Sequence, residues 1–173
     1  DVKPGTKVDL MTEIPTAGGK PTLLHFFNFD CPCSRFNMRD FESMAKQFGN
    51  DVNFYVVIQS ADEHGHERFK KKYGLDIPTI LDKDGSISDK CGIYATPQGV
   101  LLDKEFTIYF KGNYNIARYC TKKETKFAEI AIGHLLKNEP LPLALQYELK
   151  EPFGCSLPSD EAPTVEGSMF SLF

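Results

Sequence analysis

"HFFNFDCPCSRFN", residues 25–37, sets two cysteines one proline apart, behind an apolar aromatic run and ahead of a helix-like pattern. The run reaches back through "PTLLHFFNF", which is continuous and of strand length, as in a central strand buried on both faces. Beyond the cysteines, Phe41, Met44, Ala45 and Phe48 recur at helical spacing and Gly49 supplies a stop. Cys31 is therefore expected where a strand ends and a helix begins. Free cysteines are often core residues. A junction flanked by Asp30, Pro32 and Ser34 is not core sequence, so the pair reads as a redox couple or a metal clip.

Outward from this junction the pattern alternates. "DVNFYVVIQ" predicts a second buried strand, rich in valine and aromatics. "SADE" (residues 60–63) has the form of a capping box and predicts a polar helix ending at Gly74. "IPTILD" predicts a short strand, "KDG" a turn and "SISDKCGIY" a short helix. "QGVLLD" and "FTIYFKG", split by "KE", suit an antiparallel hairpin. "TKKE" (residues 121–124) predicts a last cap, for a helix with Phe127, Ile130, Ala131 and Leu135 on one face that stops before Pro140. Alternation followed by a hairpin means an α/β fold, a mixed central sheet with helices on both faces. Residues 1–138 are expected to form the domain, with its core at about 20–138, and the proline-rich stretch 139–173 an extended tail packed on it.

Composition narrows the function. The net charge is −4, so the basic stripe of a nucleic-acid backbone binder is missing and no nucleic acid is expected. The lysines of "FKKKYG" read as a solvated helix end. No window reaches the 18 or so apolar residues that a membrane span requires. The chain opens at "DVKPGTKVDL" without a methionine, which reads as a trimmed sequence with a signal or membrane anchor upstream. Its five cysteines, Cys31, Cys33, Cys91, Cys120 and Cys155, are too few for a disulfide scaffold and leave at least one unpaired within a chain.

A helix start offers unpaired N–H groups and a positive dipole end. A Cys31 thiolate there is expected to be stabilised, its pKa lowered below the free value of about 8.5, with Arg35 assisting and Asp30 opposing. Thiol exchange needs an attacking thiolate, open to solvent, and a second thiol that resolves the mixed disulfide. Cys33 stands near enough for that role. Only Pro32 intervenes, so the closed ring would be small and strained, and the couple a better oxidant or isomerase than reductant. Further along, "YATPQGV" (residues 94–100) carries Pro97 just before a strand, where a cis bond is a candidate.

A buried strand, a cysteine pair at a helix start, "TP" before a hairpin and a closing helix together resemble the thioredoxin fold. The segment "IPTILDKDGSISDKCGIYATPQGVLLD" resembles its redoxin branch of AhpC/TSA type, the peroxiredoxin-like and the periplasmic or membrane-anchored thiol oxidoreductases. The resemblance implies a thiol–disulfide oxidoreductase without a bound cofactor or metal. It would act on protein thiols and disulfides, with a redox partner protein, in a periplasmic or otherwise exported location. It makes Cys31 the nucleophile, exposed to solvent, and Pro97 the cis proline, with Thr96 facing the cysteines; Pro32, Thr96 and Pro97 are the candidate substrate-binding residues. The family's usual second cysteine falls at Ser34, whereas this chain has Cys33; Cys155 or Cys91 is then an additional candidate resolving thiol.

Two alternatives sit on the same fold. Two thiolates suit Cu(I), as in copper chaperones, although those use a wider cysteine spacing and a later histidine. A thiol peroxidase would carry a hydroxyl residue three positions before the reactive cysteine and a proline four before that; here those positions are Asn28 and Leu24. Of the remaining candidates, Cys91 is expected in the core, and Cys120 either inert or paired with Cys155. His25 should be a core histidine, His64 and His66 a solvated face, and His134 a partly buried filler. The loop holding Asn113, Tyr114, Asn115 and Arg118 is read as polar, or else as site-lining.

Overall fold

The computed structural model describes residues 2–14, 19–114, 126–148 and 155–156. Strand β1 (Thr22–Phe27) leads into helix α1 (Pro32–Phe48), then β2 (Asn53–Ile58), α2 (Gly65–Tyr73), β3 (Thr79–Leu81) and α3 (Ser86–Cys91). The two-residue β4 (Ala95–Thr96) precedes the hairpin β5 (Gln98–Leu102) and β6 (Ile108–Gly112). Helices α4 (Phe127–Leu136) and α5 (Leu143–Glu148) and the two-residue β7 (Cys155–Ser156) follow. The main sheet runs β3-β2-β1-β5-β6, parallel across β3, β2 and β1 and antiparallel from β1 to β6. This is the mixed α/β sheet expected from the alternation, and the thioredoxin-like fold that the resemblance implies.

β1 occupies the centre because all six of its residues are buried, and the period of two sends them to opposite faces. Leu23 and Phe27 join Phe41, Phe54, Phe69, Phe110 and Phe127 in the cluster under α1, α2 and α4. Leu24 and Phe26 join Val57, Val100, Ile87 and Cys91 on the other face, under α3. Each fully buried Phe or Leu contributes about 1.5–3 kcal/mol to holding the helices on the sheet.

Three readings of the sequence need correction. The side chains of "SADE" do not cap α2: the Ser60 and Asp62 oxygens accept bonds from the Asp62 and His64 backbone N–H groups in tight turns, and the helix starts only at Gly65. Its other end behaves as read, with Lys70, Lys71 and Lys72 in the last turn and Gly74 left-handed at φ 62°. Part of the segment read as extended is helical, since α5 buries Leu145 in the larger core cluster. The core also begins earlier than residue 20: Val8, Leu10 and Ile14 are buried, and Gly5 and Val8 bond through their backbones to Ile108 and Phe106 beside β6. That opening segment has no periodicity to announce it. The cap expected at residues 121–124, and with it Cys120, Asn115 and Arg118, lies outside the described residues.

Candidate functional site

β1 ends at Phe27, and four residues turn the chain into α1. Buried Asn28 holds that turn: its Oδ1 accepts from the Asp30 backbone N–H at 2.7 Å, and its Nδ2 donates to the Gln59 carbonyl at 3.0 Å and side-chain Oε1 at 2.8 Å. The turn is thereby fastened to the end of β2. Cys31 sits at the N-cap of α1 with extended backbone (φ −93°, ψ 110°), and Pro32 takes the first helical position, where its missing N–H costs nothing. The Ser34 N–H donates to the Cys31 carbonyl at 3.1 Å. Ser34, at the position of the usual second cysteine, is fully buried with its Oγ close to the Asn28 backbone N–H.

Cys31 is fully buried, which corrects the expectation of an open sulfur. It is also disulfide-bonded. The expected convergence of helix N–H groups on its sulfur is not observed either, because no side-chain bond caps α1. The sulfur turns instead toward β4, where Sγ lies 3.3 Å from the Thr96 carbonyl oxygen. A disulfide sulfur has no proton to give, so that contact becomes a donated S–H bond only in the thiol form.

The Thr96–Pro97 peptide bond is cis, as the sequence position suggested. Thr96 is fully buried, and its Oγ1 has no partner among the described residues. Cys31, Thr96 and Pro97 therefore meet at one end of the sheet, contributed by segments 65 residues apart along the chain. Cys33 lies on the first turn of α1. Cys155 lies on β7, which pairs antiparallel with β4 so that Cys155 stands opposite Thr96 and Ser156 opposite Ala95. Tyr94, just before β4, is an exposed aromatic beside this edge.

Cys91 does not join the site. It is a free, buried thiol in the cluster under α3, and burial pushes its pKa up to about 12, with Lys111 opposing. His25, on β1, is fully buried and stacks on Phe41 with centroids 4.7 Å apart. Its Nδ1 shares a 2.6 Å hydrogen bond with the Tyr114 hydroxyl, and burial lowers its pKa to about 3. Gly99, opposite His25 in the ladder, makes room for that tyrosine; a Cβ there would lie 3.1 Å from the hydroxyl. His64 and His66 are exposed, and His134 is half-buried and pairs with Glu139 at 2.6 Å. Asn113 bonds to Gln98 at 3.1 Å, so the buried start of its loop supports β5. No cluster of three or more metal-ligating side chains occurs among the described residues, and no described helix is long and apolar enough to cross a membrane.

The sequence does not single out Asn28, Gln59 or β7: Asn28 stands out only for the hydroxyl it lacks, and a two-residue strand leaves no periodic trace.

Comparison with known proteins agrees with this architecture. The sequence profile of the AhpC/TSA family matches residues 4–112. Methylamine utilization protein MauD of Methylobacillus flagellatus is 28% identical over 116 residues, which cover 67% of this chain and 53% of MauD. Thiol-disulfide oxidoreductase ResA of Halalkalibacterium halodurans is 27% identical over 93 residues, 53% of each chain. The chain thus spans about half the length of the curated relatives it matches. Among solved structures, a hypothetical protein of Sinorhizobium meliloti superposes with a TM-score of 0.68 at 17% identity, covering 90% of this chain and 94% of that one. The exposed lipoprotein thioredoxin Etrx1 of Streptococcus pneumoniae does so with 0.54 at 21% identity, covering 72% and 89%. At these identities the superpositions speak to fold alone.

Proposed function

The chain belongs to the AhpC/TSA family, and on that premise we propose that it is a thiol–disulfide oxidoreductase acting on protein thiols and disulfides through Cys31. The observation that carries the reading is the placing of a bridged cysteine at the start of a 17-residue helix with its sulfur 3.3 Å from the carbonyl that precedes a cis proline. A sulfur held in a disulfide takes up an electron pair when a thiolate attacks and cleaves the bond. When reduced, the Cys31 thiolate would draw on the positive end of α1.

In the exchange, the Cys31 thiolate attacks one sulfur of a partner's disulfide, the partner's other sulfur leaves as thiolate, and a mixed disulfide forms. A second thiol, with Cys33 the neighbour in sequence, then attacks Cys31 and releases the reduced partner. The partner leaves with two electrons more, and the protein retains a disulfide. A redox partner protein of dithiol type would reset it. Thr96 and Pro97 would shape the edge where the partner's backbone lies, and strand-like docking there gives loose sequence selectivity. Pro32 would set the helix start. A disulfide at this position suits an oxidising, exported setting such as the periplasm.

ResA's name as a thiol-disulfide oxidoreductase supports the same reading. A peroxidase reading is weakened by Asn28, whose amide is committed to Gln59 where a hydroxyl would be wanted. The test is reduction of insulin disulfides by dithiothreitol, with the protein as catalyst. The wild type should accelerate it and Cys31→Ser should not; undiminished catalysis by Cys31→Ser would sink the proposal.

A further inference from the structure

Asn28 is fully buried in the turn between β1 and α1, and both polar atoms of its carboxamide are engaged. Oδ1 accepts from the Asp30 N–H at 2.7 Å, and Nδ2 donates to the Gln59 carbonyl at 3.0 Å and to Gln59 Oε1 at 2.8 Å. Its backbone carbonyl accepts from the Cys31 N–H at 3.3 Å. A hydroxyl donates only once and a carboxylate not at all, so only a carboxamide can accept at one end of this turn while donating twice at the other.

The sheet does not need this tie. β1 and β2 pair from Thr22 with Asn53 to Phe27 with Ile58, and the Gln59 N–H reaches the Phe27 carbonyl at 3.0 Å without it. What the carboxamide adds is a fixed exit from β1, and the residue that this turn delivers is Cys31.

We infer that Asn28 is a positioning residue for Cys31: tied to Gln59, it holds the N-cap backbone so that reduced Cys31 changes partners by rotation about its Cα–Cβ bond alone. This rests on the exchange chemistry proposed above and deepens it.

The backbone of Cys31 is held on both sides, its N–H by the Asn28 carbonyl and its carbonyl by the Ser34 N–H at 3.1 Å. On that backbone the sulfur has two settings. In one, Sγ lies 3.3 Å from the Thr96 carbonyl oxygen, to which a thiol can donate its proton and which repels a thiolate. In the other it turns over the start of α1, where an N-cap side chain accepts from backbone N–H groups of the first turn and the helix dipole favours negative charge. Loss of the thiol proton to water therefore moves the sulfur from β4 to the helix start, ready to attack. A slack turn would weaken both settings. Charge-assisted hydrogen bonds are about twice as strong as neutral ones, so the thiolate setting would lose more.

The test is Asn28→Ala in the full chain, reduced with dithiothreitol. The titration of Cys31 is followed by the NMR shift of its Cβ in cysteine-labelled protein, and its attack on a peptide disulfide by single-turnover kinetics at pH 7. The Cys31 midpoint should rise by about half a pH unit or more. The maximal rate should fall about tenfold or more, while the half-saturating peptide concentration changes by less than about twofold. A midpoint that stays or falls, or a maximal rate that stays, in the folded variant would overturn the inference. If Asn28→Ala does not fold, Gln59→Ala, which leaves the Gln59 carbonyl for Nδ2, should shift midpoint and rate the same way by less; no shift there would overturn it equally. The NMR midpoint requires no catalysis, so it reads the placing of Cys31 whether or not Cys31→Ser abolishes exchange.

Discussion

Cys31 and Cys91 are equally buried, each with no exposed surface, yet the fold treats them as opposites. Cys31 caps a long helix, faces the carbonyl of Thr96 and is bridged. Cys91 closes a short helix against Ile87, Ile93 and Leu102, stays free and titrates only near pH 12. Burial therefore does not separate the cysteine proposed to react from the one proposed to be inert. The difference lies in whether the surrounding groups include a helix start and a second sulfur, or only hydrocarbon, which makes the thiolate pay its full desolvation.

The largest expected contrast between the two is in activity. Cys31→Ser should bring catalysed disulfide reduction down to the uncatalysed rate, while Cys91→Ala should leave it unchanged, both read by insulin turbidity. Loss of activity in Cys91→Ala with the fold intact would break the distinction.

Next comes reactivity. With a pKa of about 12, only about one Cys91 thiol in 10⁴ is ionised at pH 8, so its alkylation should run about a thousandfold slower than that of a free cysteine until the protein unfolds. Mass spectrometry after timed iodoacetamide treatment checks this. Prompt labelling of Cys91 in the folded protein would show that the packing around it opens.

The third effect is on stability around Cys91. Buried Asp82 accepts from the Ile87 and Ser88 backbone N–H groups, each at 3.0 Å, and from the Ser88 hydroxyl at 2.7 Å, thereby pinning the start of α3. Hydrogen bonds to a charged group contribute about 1.5–3 kcal/mol. Asp82→Ala should lower the unfolding free energy in urea by at least that much and speed labelling of Cys91. Labelling of Cys91 that stays slow would show that its protection does not depend on α3.

The smallest effect, taken per pH unit, belongs to the sheet that both cysteines lean on. His25 ionises near pH 6.5 when unfolded but only near pH 3 when folded. Between those values the unfolded chain binds more protons, so stability falls as pH falls, by up to about 1.4 kcal/mol per unit from this residue. Urea denaturation from pH 7 downward should show the slope, and His25→Gln should flatten it. An unchanged slope would place the acid sensitivity elsewhere.

Much of this was legible in the chain itself. The aromatic run ahead of Cys31, the helical spacing of Phe41, Met44 and Phe48, and the "TP" ahead of the hairpin carried the order of elements, while the placing of Thr96 beside Cys31 came only from the resemblance to the thioredoxin fold. The location of Cys91 in the core was legible as well, from the aromatic residue that the resembling families carry at its place. The sequence could do this because strand and helix periodicities are local, set by which faces must leave water. What it could not state was how the sulfur of Cys31 is covered, that Asn28 spans to Gln59, that His25 meets Tyr114, or that Cys155 lies opposite Thr96. Those contacts join residues 31 to 89 positions apart, and the β4–β7 ladder is only two residues long. No local pattern encodes such pairs; they are decided when the packed sheet brings distant segments together and closes water out.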